Sequence, residues 1–151
     1  MGRLKLIFFL GSIFLSSFLY GSMNDTLFKA AETGNLTALN KALKSGANVN
    51  YTKSMGGTSG LTALMAAARF GHTAIAQALI KAGANVNAQA SDGFSALMLA
   101  ACMGNEPLVK ILIQGRANVN AVTPDGYTAL RIASEKGFSA VAALLRKNGA
   151  R

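Results

Sequence analysis

Apolar side chains recur at helical spacing in short runs, and the runs themselves recur every 33 residues. Leu64, Ala67 and Ala68 form one run, and Ile75, Leu79 and Ile80 the next. Leu97, Ala100 and Ala101, then Val109, Leu112 and Ile113, repeat the pair, and Leu130 to Ala133 with Val141 to Leu145 repeat it again. Each run puts its apolar side chains on one helical face. Polar and small residues punctuate them. Thr62, Ser95 and Thr128 stand just before a first run, where a hydroxyl can accept hydrogen bonds from free helix N–H groups. Gly71, Gly104 and Gly137 follow it and suit a left-handed turn. Every copy is therefore predicted as helix, tight turn, helix and projecting hairpin-like loop.

The recurrence extends to the wording. Thr62-Ala63-Leu64-Met65 returns as Ser95-Ala96-Leu97-Met98 and as Thr128-Ala129-Leu130-Arg131. Gly83-Ala84-Asn85-Val86-Asn87 is echoed by Ala117-Asn118-Val119-Asn120 and by a truncated Gly149-Ala150. An earlier copy is offset by 37 residues: Leu27 to Ala31 matches Leu64 to Ala68, and Gly46 to Asn50 matches Gly83 to Asn87. Its four extra residues fall between Asn50 and Gly60, in a Gly- and Ser-rich stretch expected to be a longer loop. A fixed period of this length means stacked units that contact only their neighbours, an architecture that displays a surface rather than building a pocket.

With Asp92-Gly93-Phe94-Ser95-Ala96-Leu97 and Asp125-Gly126-Tyr127-Thr128-Ala129-Leu130 added, the phrase resembles the ankyrin repeat over about residues 24–151. The resemblance implies an all-α solenoid of four helix-turn-helix units, at about 24–53, 59–91, 92–124 and 125–151, with projecting loops. It also implies non-enzymatic protein binding by the loops and first helices, which form a concave face, while the second helices form the back. Three positions depart from the family pattern. The Pro expected after the capping hydroxyl residue is Ala63, Ala96 or Ala129. The family's His is replaced by Phe28, Met65, Met98 and Arg131, which shifts stability toward packing. Arg116 stands where Gly46, Gly83 and Gly149 stand in the other copies; either its left-handed conformation is strained or the turn has moved to Gly115.

The N-terminus breaks the register. Arg3 and Lys5 precede an uncharged apolar run, Leu6 to Tyr20, and Gly21-Ser22 follow. Residues 1–22 are expected to be a secretory signal peptide, with a retained membrane anchor and a buried core helix as the alternatives. The domain then spans 23–151. Export places it in a bacterial periplasm or outside the cell; retention would hold it at the inner membrane, facing the periplasm.

Without residues 1–22 the chain carries thirteen basic and six acidic residues, a net +7. Such a balance favours acidic partners. The cations Lys41, Lys44, Lys81, Lys110, Arg146 and Lys147 fall mainly toward the ends of second helices, where they also suit the helix dipole. No basic run is interleaved with aromatics, so nucleic acid is not expected as a partner. Cys102, the single cysteine, is read as a small residue beside the stack, with a reactive or intermolecular thiol as the alternative.

Reactive chemistry is hard to assemble. His72 is the only histidine and follows the turn glycine, a structural position. Metal ligands at zinc spacing and a phosphate-binding loop are missing from the sequence, so no cofactor, metal or catalytic residue is assigned. Asp92 and Asp125 precede glycines at equivalent loop positions and are read as turn formers. Positions free to vary are expected at Ala66, Leu99 and Ile132, later on the same helices, and in the loops. From these, Arg69, Phe70, Phe94, Met103 and Tyr127 are assigned as the protein-binding face, with packing on the next copy as the alternative for Phe94 and Tyr127. A monomer is expected.

Overall fold

The structure, a computed structural model, describes residues 21–151. Residues 21–33 form helix α1, followed by α2 (Leu36–Lys44), strands β1 (Thr52–Met55) and β2 (Thr58–Thr62), α3 (Ala63–Phe70) and α4 (Thr73–Lys81). Then come α5 (Ala96–Cys102), α6 (Glu106–Gln114), α7 (Ala129–Glu135) and α8 (Ser139–Lys147). The expected leader lies outside the described residues except for Gly21 and Ser22, which are helical and continuous with α1.

Each helix pair packs on itself, α3 on α4, α5 on α6 and α7 on α8. Across units, α3 packs on α5 and α5 on α7, while α2, α4, α6 and α8 pack in succession. First helices thus form one layer and second helices the other. Alanine makes the first layer close: Ala67, Ala68, Ala100, Ala101 and Ala133 are completely buried. Leu39, Leu79, Leu112 and Leu145 fill the second layer at corresponding positions, each contributing about 2 kcal/mol of apolar burial. Phe28, Met65 and Met98 lie in the core, 2%, 1% and 1% exposed, so packing does replace the polar contacts of the family's His.

The caps form as expected. The hydroxyls of Thr62, Ser95 and Thr128 accept from the backbone N–H of Met65, Met98 and Arg131 at 3.2, 3.3 and 3.1 Å. Each satisfies an otherwise orphaned helix donor. Gly71, Gly104 and Gly137 all adopt positive φ. At Gly104 a side chain is also excluded by space, because a Cβ there would lie 2.7 Å from the Phe138 ring.

The Asn-Val-Asn phrases do more than lead into a loop. In each, the first Asn closes its own turn: the Oδ1 atoms of Asn48, Asn85 and Asn118 accept from the N–H of Asn50, Asn87 and Asn120. The second Asn ties to the next unit. Asn50 Oδ1 accepts from Asn85 N–H at 2.7 Å, Asn87 Oδ1 from Asn118 N–H at 2.7 Å, and Asn120 Oδ1 from Arg151 N–H at 3.0 Å. Their amides donate to the carbonyls of Gly83, Arg116 and Gly149. This ladder fixes the spacing between units.

One expectation needs correction, and one open alternative is decided. The longer loop is a β-hairpin: β1 and β2 are antiparallel, with Met55 opposite Thr58 and a bulge between Lys53 and Met55. Gly56 and Gly57 both have positive φ, the requirement of the tight turn whose twist matches paired strands. The turn at Arg116 has not moved: Arg116 has φ 67° and Gly115 φ −74°, so Arg116 bears the strain. Of the first-helix positions expected to vary, Ala66 and Ile132 are buried and Leu99 is half-buried.

Candidate protein-binding cleft

The inserted hairpin stands beside the first-helix layer and turns part of an open face into a cleft of about 220 Å³. The expectation of a surface without a pocket is thereby modified at one place. Phe28 and Met65, both buried, and half-buried Leu99 supply its apolar floor from α1, α3 and α5. Met55 and Leu61 of the hairpin form one wall, and Phe94 of the following loop lies opposite. The walls are linked: Ser59 carbonyl accepts from Ser91 N–H at 2.9 Å, and Ser59 N–H donates to Ser91 Oγ at 3.0 Å.

Charged groups occupy the rim. Arg69 holds its guanidinium 6.0 Å from the centre of the Phe70 ring, itself about half exposed. Glu32 pairs with Lys29 at 3.3 Å. Asp92 Oδ1 accepts from Phe94 N–H at 3.1 Å, as its reading as a turn former requires, and so positions Phe94. Behind the floor, Lys53 Nζ bonds Asp25 at 2.8 Å and lies 5.6 Å from the Phe28 ring centre. The hydrogen bond to Asp25 holds the Lys53 ammonium above the ordinary lysine range.

Of the residues assigned from sequence, Arg69, Phe70 and Phe94 meet at this cleft. Met103 and Tyr127 do not line it. Met103, 55% exposed, follows α5 on the same layer. Tyr127 is half-buried, with the Arg131 guanidinium 4.4 Å from its ring centre. Arg131 is held by Glu135 at 2.8 Å, a hydrogen bond that raises its pKa further. Phe28, Glu32 and Asp92 were missed as lining residues. Their signal was the insertion itself: four extra residues opposite Phe28 must lie over something.

His72 is structural. Its ring lies against Gly34, and Nε2 is 3.0 Å from the Glu32 carbonyl, joining the first two units. Cys102 is half-buried in α5. Among the described residues, no group of three or more His, Cys, Asp or Glu side chains could hold a metal ion. The cleft offers an apolar floor for one bulky side chain, with charge at the rim to orient it.

The family model described as ankyrin repeats (3 copies) matches residues 27–123 and 83–151. No curated protein matches the chain.

Proposed function

Because this chain belongs to the ankyrin repeat family, whose repeats generally mediate protein–protein interaction, we propose that it is a non-enzymatic scaffold that captures a partner protein on its first-helix face. The observation that carries this reading is the cleft. Buried Phe28 and Met65 give it a dry floor, and exposed Met55 and Phe70 stand at its mouth. Large apolar groups exposed beside a dry pocket are the arrangement in which a few anchors dominate binding energy. Met103 extends the surface along the stack, and Tyr127 with Arg131 offers a pre-ordered aromatic–cation pair beyond it.

Affinity purification from the native cell followed by mass spectrometry would identify the partner. Replacing Phe70 and Tyr127 together by alanine should abolish capture while the circular dichroism spectrum stays that of the folded protein, since Phe70 is about half exposed and Tyr127 only flanks the core. Undiminished capture by the double variant would end this assignment.

Export is the reading the leader's composition supports: basic Arg3 and Lys5, then the apolar run to Tyr20. N-terminal sequencing of the native protein separates a periplasmic or secreted form, beginning near Met23, from a tethered adaptor that retains residues 1–22. A catalytic role would require turnover that disappears on changing His72 or Cys102.

A further inference from the structure

The second helices carry a feature that protein capture on the opposite layer does not use. Lys41 and Lys44 lie in the last turn of α2, Lys81 in that of α4, and Arg146 and Lys147 in that of α8. Because α2, α4, α6 and α8 pack in succession, these ends fall along one edge of the stack. At helix spacings of 8–10 Å the row is roughly 30 Å long. All five side chains are exposed, and none takes part in the ion pairs found among the described residues. The carboxylates lie elsewhere. Glu32 and Glu135 end first helices and Glu106 begins a second helix, on the side of the tight turns, and Asp92 and Asp125 are in the projecting loops. Asp25, near this edge, is neutralised by Lys53.

Attraction to the helix dipole accounts for cations within the last turn. It does not account for Arg116. Helix α6 ends in Gln114 and has no cation in its last turn. The missing charge comes two residues later, from exposed Arg116, the single non-glycine residue with positive φ among those described. The other units have a strain-free glycine there. A strained residue that restores the row's periodicity points to use of the row.

The entry point of the chain says what the row meets. Asn24 Oδ1 accepts from Asn48 N–H at 2.7 Å, so the start of α1 lies beside the end of α2. The first described residues therefore stand at the cationic edge, directly after the apolar run Leu6 to Tyr20 in the sequence. We propose that this edge, Lys41, Lys44, Lys81, Arg116, Arg146 and Lys147, docks on an anionic lipid surface, leaving the cleft on the other layer free for its partner. The edge displays flexible cations with no exposed aromatic ring on which bases could stack, which favours lipid headgroups over nucleic acid.

The test is co-sedimentation of the full chain with phosphatidylcholine vesicles, with and without phosphatidylglycerol. The expected result is binding tighter by roughly tenfold or more to the anionic vesicles, weakened by salt. The pair Lys44→Gln/Lys81→Gln should lose roughly tenfold or more of that preference, whereas Lys29→Gln/Lys136→Gln should keep it within about twofold. Acetylation footprinting of the unmodified sequence gives a readout that no variant's folding can disturb: Lys44, Lys81 and Lys147 should be shielded on anionic vesicles, and Lys29 and Lys136 should stay reactive. Equal binding to both vesicle types, equal losses in the two pairs, or unshielded edge lysines would overturn the proposal. So would tighter binding to a single-stranded oligonucleotide than to the anionic vesicles at the same salt. None of these outcomes bears on partner capture, which is read separately through Phe70 and Tyr127.

Discussion

Arg116 shows what a single residue costs and what it signals. Its sequence register marks it as the one side chain at a glycine position, but two backbone solutions were open, strain at Arg116 or a turn shifted to Gly115. The structure has the first, with φ 67° at Arg116. Arg116→Gly removes about 1 kcal/mol of left-handed strain, and at this chain length the melting temperature should rise by about 2–4 °C. A thermal melt checks it; an unchanged or lower value would contradict the steric account. Met65 and Met98 are the opposite case, because an apolar residue at a family histidine position could only go inward, and both are fully buried.

At the scale of elements, the helices were legible and the loops were not. Thr62, Ser95 and Thr128 announce their helices because capping is a local bond between a hydroxyl and an N–H three residues on. The asparagine ladder joins atoms about one unit apart in sequence, so periodicity marks the Asn residues without saying what they bond. Asn87→Ala should leave the bond between Asn85 Oδ1 and residue 87 intact but remove those to Asn118 N–H and the Arg116 carbonyl. The expected loss is about 1–2 kcal/mol, measured by urea unfolding. The hairpin was hidden for a different reason. Gly56 and Gly57 permit either a flexible loop or a tight turn, and pairing of Thr52 with Thr62 and Lys53 with Leu61 decides between them.

In the whole molecule, stability belongs to interfaces rather than to units. Helix α5 packs on α3, α6 and α7 at once. Leu97, 1% exposed on α5, is buried within that packing. Leu97→Ala should cost about 3 kcal/mol and lower the midpoint of the entire urea transition, because the interfaces couple each unit to its neighbours and the stack unfolds together. Far-ultraviolet circular dichroism would report it, and loss of the last unit alone, with the rest unaffected, would show the coupling to be weaker than the packing implies. The candidate site also exists only at this scale: Phe28, Met65 and Phe94 come from three different units and share one cleft.

The sequence alone determined the period, the helix pairs, their caps and their turns, because each rests on bonds and faces formed within one unit of chain. It also yielded Arg69, Phe70 and Phe94, which the structure brings to one cleft. The tertiary structure decided what lies between units: that four inserted residues pair into a wall, that Phe28 and Glu32 lie beneath it, and that scattered lysines align along one edge. Those outcomes depend on which surfaces meet when the units stack, and a one-dimensional pattern records the stacking without recording the meeting.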